Sequence, residues 1–346
     1  MTDGPMTDVV VRAADSGGTR PPPDVDTMFA WLQSERVVGI EGAVKSWDNP
    51  ANPGYSYPEI SGLLLSLLAR SDSADPEVRD RIADDVRRGV GAGSAVGRWG
   101  TNYVFDTAMV LSGLLAHEAA GGRLADPALP DRLCDFIVEM LLARRGIDGL
   151  TLEDPNHWSN SYGCHLLKAS LSLTAYADQR GRGRTDFVVR QLLDDLLPLQ
   201  EDGRFRTNAA SRISYLHAHC YATEGLLVVR RRGIADVSAA VTASADWLVR
   251  AQDESGGIRA WHDGNEASGE LHADASAQAI RIWCLVDRRR YADSIRRGLG
   301  FIADNSVDGA GVRYRPGSDD VNTWATIFAV QATTWSKEPA DPLWLV

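Results

Sequence analysis

Leu133 to Arg145, LCDFIVEMLLARR, and Val241 to Gln252, VTASADWLVRAQ, carry apolar residues at three- and four-residue intervals with a polar opposite face. That spacing predicts helices lying half in a core and half in water. A second kind of segment alternates with the first. PEISGLLLSLLA, VFDTAMVLSGLLA, GCHLLKASLSLTAYA, ATEGLLVV, ADASAQAIRIWCLV and WATIFAVQATTW are apolar or small nearly all round, as expected of helices enclosed by protein on every side. The alternating pattern of half-buried strands is almost absent.

Between the two kinds of helix a glycine turn recurs, in EGAVKSW, GRWGTNY, DGLTLEDPNHW, DGRFRTN, GGIRAWH and GAGVRYR. With Gly42, Gly97, Gly149, Gly203, Gly257 and Gly311 as markers, the intervals are 55, 52, 54, 54 and 54 residues. Near-constant spacing over six units marks a repeat architecture. Six hairpins, each with one exposed and one buried helix, predict an all-α (α/α)6 toroid over residues 24–346, an inner ring of six helices inside an outer six. An open solenoid of the same hairpins is the alternative, but its polar end caps are missing. In a ring the loops entering the inner helices share one rim, and their polar residues converge on a central cavity.

Composition narrows the function. A net charge of -11 and a pI near 5.1 argue against nucleic acid, because no basic stripe exists to neutralise phosphates. The arginine runs Arg230 to Arg232 and Arg288 to Arg290 fall at expected helix ends, where cations complement the dipole. Cys134, Cys164, Cys220 and Cys284 form no CxxC pair, which suits a reducing, cytoplasmic setting. No apolar run approaches the ~20 residues a membrane helix needs. Residues 1–23, ending SGGTRPPP, read as a polar, disordered leader.

The segment WLVRAQDESGGIRAW, with Trp247, Gln252, Gly257 and Trp261, resembles the glutamine-tryptophan repeat of the squalene-hopene cyclase and prenyltransferase toroid superfamily. WLQSERVVGIEGAVKSW, from Trp31 to Trp47, is a looser copy. YPEISGLLL, VFDTAMVLSGLL, HAHCYATEGLL and DVNTWATIFAVQA look like segments of toroid proteins encoded with bacterial polysaccharide genes. The resemblance implies the toroid fold, with the glutamine and tryptophans tying hairpins together, and implies no particular reaction. Of the aspartate-rich acid motif of the superfamily's cyclases, YVFDTAM keeps only Asp106. GCH at Gly163 to His165 and HAHC at His217 to Cys220 resemble, in residue types only, the zinc ligands of prenyltransferases and lanthionine cyclases.

The candidate chemistry lies on the rim. His217, Tyr221 and Glu224 fall at i, i+4 and i+7, one helix face, and an imidazole, a phenol and a carboxylate there suit an acid/base relay. Asp106 and His165 join them as candidate catalytic groups. Expected substrate contacts are Tyr57 and Glu59 in the first loop, Trp99, Asn102 and Tyr103 in the second, and His157, Trp158 and Asn160 in the third. Arg212 and His219 follow in the fourth, Trp261, His272 and Asp274 in the fifth, and Asp320, Asn322 and Trp324 in the sixth. Asp320 also suits the N-cap of the last helix, and Arg206 or Arg212 a clamp for a carboxylate. No metal is required by this set. If zinc is bound, Cys164, His165, His217, His219 and Cys220 are the donors to expect.

Tryptophans and tyrosines mixed with Asp, Glu, Asn, His and Arg suit a sugar, which offers both C–H faces and hydroxyls. The expected activity is therefore a carbohydrate-active enzyme working by side-chain acid/base chemistry on a small molecule or oligosaccharide. Uronate lyase or epimerase chemistry and glycoside hydrolysis are both open. The alternatives are a cyclase acting on an isoprenoid or modified peptide, and a glycan-binding protein without catalysis.

Overall fold

The computed structural model of the chain describes residues 23–98, 100–149, 158–181, 183–264 and 266–346. Among these residues twelve α-helices form six consecutive hairpins. They are α1 (Val25–Gln33) with α2 (Pro58–Leu68), α3 (Pro76–Val90) with α4 (Val104–Ala119), and α5 (Leu129–Leu142) with α6 (Ser170–Arg180). Next come α7 (Thr185–Leu196) with α8 (Leu216–Arg231), α9 (Ser238–Ala251) with α10 (Ala273–Asp287), and α11 (Ala292–Asp304) with α12 (Thr323–Lys337). A 3-10 run, Cys164–Ala169, leads into α6. The even-numbered helices pack in order around a barrel and α12 returns to α2, so the ring is closed. An open solenoid is thereby excluded, and the fold is the α/α toroid that the hydrophobic pattern predicts. No described helix is long and apolar enough to cross a membrane.

The burial of each helix follows from its composition. In α2 every residue from Glu59 to Leu68 is buried, whereas in α11 only one stripe is, including Ile295, Gly298, Phe301 and Ile302. The repeat glycines have a steric cause. Gly42, Gly203 and Gly256 hold φ of 99°, 87° and 92°, and a Cβ on them would lie 2.0, 2.2 and 2.1 Å from the carbonyl oxygens of Arg81, Ala243 and Arg297 on the following outer helix. Each turn therefore seats its hairpin directly on the next helix backbone, which only glycine permits. In the fifth unit the contact is made by Gly256, one residue before the sequence marker Gly257. Gln252 ties the same pair of units by donating to the carbonyls of Gly256 and Ser294, both at 3.0 Å.

Short strands line the rim, against the expectation of almost none. Trp47–Asp48 pairs with Val321–Asn322, stitching the first unit to the last, and Arg259–Asp263 pairs with Glu266–Leu271 in a projecting hairpin. At two to six residues they are too short for a two-residue period to show in sequence.

The opposite end of the barrel is closed differently. Seven residues, about 10 Å, below the rim, Glu224 accepts from Lys168 at 2.7 Å and Arg281 at 2.5 Å. Both cations also donate to the backbone oxygen of Val346 at 3.1 Å, and Arg281 reaches Gln331 at 2.8 Å. The 338–346 segment packs across this end through Leu345, which clusters with Leu171, Val228 and Trp335.

Candidate active site

The inner helical runs all begin at the same rim, so equivalent positions meet around the axis. Their second residues are Glu59, Phe105, His165, His217, Asp274 and Trp324. All but His165 line one cavity of about 690 Å³. His165 is fully buried behind Trp158, its ring centroid 5.1 Å from the indole.

Two aromatic walls face each other. On one side Trp47, Tyr55, Tyr57 and Trp324 make successive ring contacts at 5.3, 5.9 and 5.3 Å. On the other, Trp158 lies 5.5 Å from Tyr215 at 36° and 6.3 Å from Phe105. Asn52, Ser159, Tyr314, Asp320 and Asn322 complete the lining with the ionisable groups Glu59, Arg98, Asp106, His217 and Asp274.

Glu59 and Asp106 are brought together by helix packing. Gly62 and Gly113 let α2 and α4 cross at backbone contact, since a Cβ on either would lie 2.5 Å from a carbonyl oxygen of the other helix. The acids are one turn above that crossing, Glu59 three residues before Gly62 and Asp106 three before Met109. Both are almost fully buried. Burial, and then the Asp106 charge, push the Glu59 carboxyl up to about 8. Trp324 Nε1 donates to Glu59 at 2.6 Å and the Tyr221 hydroxyl at 3.3 Å. These donors and the Arg98 charge pull the other way, but burial beside a second carboxylate prevails, and Glu59 carries a proton at neutral pH.

Across the cavity His217 Nδ1 lies 3.7 Å from Asp274 Oδ2, beyond hydrogen-bond reach. Burial depresses the imidazole's proton affinity despite the acid, so the ring is neutral. Asp274 Oδ1 accepts from the Ala275 backbone at 2.7 Å. Arg98 reaches in from the strand Gly97–Arg98, its guanidinium carbon 4.4 Å from the Tyr57 ring centre and 4.6 Å from that of Tyr103.

The predicted residues thus divide. Tyr57, Glu59, Asp106, Trp158, His217, Asp274, Asp320, Asn322 and Trp324 line the cavity. Tyr221 lies just beneath it, its ring 4.4 Å from His217 and 4.6 Å from Phe105. Glu224 shares their helix face but not their depth: the buried cations Lys168 and Arg281 hold it at the far end of the barrel, so it is no part of an acid/base relay. Arg212 is a further correction. Its side chain is 84% exposed and pairs with Asp263 on the rim hairpin, and Arg206 pairs with Glu201, so neither clamps a ligand in the cavity. His219 faces outward between the rings, accepting from the Phe205 backbone at 3.2 Å against Trp247 at 4.5 Å. His272 stands behind Tyr314, Trp261 stacks on Tyr215 outside the cavity at 4.4 Å, and Tyr103 supports Arg98. Asn102 and Asn160 are absent from the lining. Asp320 does not cap α12; Asn322 does, while Asp320 accepts from Asn49 at 2.7 Å and Asn52 at 3.3 Å across the ring seam. Trp99 and His157 lie outside the described residues.

The zinc donor set does not assemble. Among the described residues no three His, Cys, Asp or Glu side chains are grouped to hold a metal ion. The Cys164 and Cys220 thiols face the carbonyls of Ala218 and Ala275 in the core, and burial pushes both thiols up. Sequence reasoning missed Arg98, Phe105, Tyr215 and Tyr314. Aligning the second residues of the inner helices would have found Phe105. Arg98 has no such signal, because it enters from a two-residue rim strand and not from an inner helix.

No protein-family model and no curated protein sequence matches the chain. Its fold resembles those of several solved structures. An unsaturated glucuronyl hydrolase from Bacillus sp. GL1, responsible for glycosaminoglycan degradation, aligns with a TM-score of 0.66 and 14% identity over 90% of this chain and 95% of its own. A sugar epimerase from a ruminal bacterium gives 0.67 and 10% over 90% and 96%. A glycosidase variant in complex with glucose gives 0.61 and 15% over 90% and 95%. At these identities the likeness is one of fold.

Proposed function

We propose that the protein is a carbohydrate-active enzyme that hydrolyses a glycosidic bond in the toroid cavity, with Glu59 as general acid and Asp106 as its ionised partner. The observation that carries this reading is the buried Glu59–Asp106 pair, in which burial first and the Asp106 charge second keep the proton on Glu59. Glycoside cleavage uses one protonated and one ionised carboxyl, and this pair supplies both forms. Glu59 gives its proton to the leaving oxygen as the anomeric C–O bond breaks. Asp106, in the first turn of α4 where the helix dipole favours an anion, stabilises the developing positive charge and takes the proton of the incoming water. Transfer of that proton from Asp106 to Glu59 restores the site.

Opposed aromatic walls supply faces for the sugar's C–H surfaces, and six acidic or basic groups at the lining, Glu59, Arg98, Asp106, His217, Asp274 and Asp320, suit a polar ligand better than a prenyl chain, which favours a dry pocket. The glycosidase and hydrolase activities named for proteins of the same fold are consistent with this chemistry. A panel of aryl glycosides and natural disaccharides, assayed for released reducing sugar, tests it. Turnover that disappears in Glu59→Gln and in Asp106→Asn is expected; turnover that survives both refutes the assignment. The neutral His217 beside Asp274 favours a second reading, proton abstraction in a sugar epimerisation, the activity named for one similar structure. Its mark is a reaction abolished in His217→Gln and retained in Glu59→Gln.

A further inference from the structure

His217 meets the cavity through one nitrogen. The residue lines the cavity and is 7% exposed. Its Nδ1 is enclosed and has no hydrogen-bond partner among the described residues, so Nε2 is the nitrogen open to a ligand. Whether Nε2 offers a proton or a lone pair depends on which nitrogen carries the hydrogen of the neutral ring.

The surroundings of Nδ1 favour one answer. Asp274 lies in the first turn of α10, where the helix dipole favours an anion. Its Oδ1 is engaged by the Ala275 backbone N–H at 2.7 Å, which leaves Oδ2 toward His217, 3.7 Å from Nδ1. That separation exceeds a hydrogen bond, but the charge acts across it. Burial lowers the ring's proton affinity, and of the charges that oppose burial the Asp274 charge is the largest. A lone pair on Nδ1 would face this negative oxygen across an enclosed gap, whereas an N–H there is attracted to it. Tyr221, whose ring is 4.4 Å away, supplies no donor to Nδ1, because its hydroxyl donates to Glu59. The rings of Trp158 and Phe328, at 5.9 and 6.0 Å, complete the aromatic surroundings.

We propose that Asp274 is a positioning residue that holds the proton of the neutral His217 ring on Nδ1, so that the Nε2 lone pair stands in the cavity as the acceptor for a sugar hydroxyl. The assignment rests on the sugar-binding reading given above and deepens it. The part of the sugar that meets this wall carries a hydrogen to give, which a hydroxyl does and a carboxylate or an ether oxygen does not. The acceptor stands across the cavity from Glu59 and Asp106, so it orients the sugar while the acid pair meets the reacting bond.

Nitrogen-15 NMR of the full chain labelled at histidine, with His217→Gln identifying the His217 signals, tests the inference. At neutral pH Nδ1 is expected to resonate as a protonated nitrogen and Nε2 as an unprotonated one. In Asp274→Asn the pattern is expected to reverse. The Ala275 N–H still requires an acceptor, so the amide oxygen takes the place of Oδ1 and the amide NH2 faces His217. There it donates to Nδ1 and sends the ring proton to Nε2. A proton on Nε2 in the unaltered protein, or a tautomer that Asp274→Asn leaves unchanged, overturns the proposal. Should Asp274→Asn fail to fold, the tautomer of the unaltered protein decides alone. Glucose, galactose, mannose and N-acetylglucosamine are then added in turn, with binding followed by tryptophan fluorescence. A sugar that binds is expected to shift the Nε2 signal upfield, as an accepted hydrogen bond does; binding without that shift overturns the acceptor role. Because turnover is not the readout, the expected tautomer and shift in a protein that cleaves no glycoside uphold the inference and refute the hydrolase reading. Glycoside cleavage with the proton on Nε2 does the reverse. No binding of any of the four sugars overturns both the acceptor role and the sugar-binding reading.

Discussion

Replacing Glu59 by glutamine separates the proton from the carboxyl. Glutamine has nearly the same volume and, like the protonated acid, is uncharged, so the amide oxygen can still accept from Trp324 Nε1, now 2.6 Å from the carboxyl. In the unaltered protein folding raises the carboxyl, chiefly by burial, from 4.5 to about 8. A group whose pKa is raised by folding stabilises the native state fully below the unfolded value, and that contribution is lost as pH rises through the folded value. At about 1.4 kcal/mol per pH unit, the window from 4.5 to about 8 amounts to roughly 5 kcal/mol. Urea unfolding of both proteins across that window should show equal stability at its acid end. Glu59→Gln should then become progressively the more stable of the two as pH rises. Its activity should fall by about 10²- to 10⁴-fold, the usual share of a general acid, and the activity of the unaltered enzyme should decline on the alkaline side near pH 8. Parallel stability curves would mean that Glu59 is ionised throughout and that the proton of the pair resides elsewhere, which refutes the acid assignment.

Glu224→Gln should lower stability by about 3 to 5 kcal/mol, because it leaves Lys168 and Arg281 buried without their counter-charge; an unchanged melting temperature would show the cluster to be neutral as a whole. Gly203→Ala should destabilise by at least 1 to 3 kcal/mol, roughly the cost of an unfavourable φ alone, since the new methyl group also meets the Ala243 carbonyl oxygen at 2.2 Å; denaturant midpoints within error of the parent would contradict the seating of turn on helix. His219, depressed by burial to about 3, is neutral when folded and stabilises the fold above its ordinary 6.5. That contribution is lost as pH falls from 6.5 toward 3, so His219→Gln should flatten the acid limb of the stability curve while leaving turnover intact. An acid limb unchanged in this variant would assign it to other groups.

Much of the fold was legible from one dimension. The alternation of amphipathic and all-apolar helices reports directly which face of each helix meets water, and a glycine period near 54 residues reports the size of the repeating unit, because a side chain at Gly42 or Gly203 has no room. Closure of the ring was a further step, made by α12 against α2 and by the strand pair at the seam. Much of the cavity was legible as well, since Glu59, Asp106, His217, Asp274 and Trp324 all occupy the first turn of inner helices and must share a rim. Depth and partners were not. Helical periodicity places His217, Tyr221 and Glu224 on one face but says nothing of what lies opposite, and the answer changes down the barrel from cavity to aromatic floor to the buried charges of Lys168 and Arg281. Likewise the strength of Glu59 as an acid depends on α4, 47 residues away by Asp106, crossing α2 at Gly62 and Gly113. Sequence determines which face a side chain takes because that depends on the rotation of its own helix; only the tertiary structure decides its charge state and its neighbours, because burial and electrostatics are set by chain segments distant in sequence.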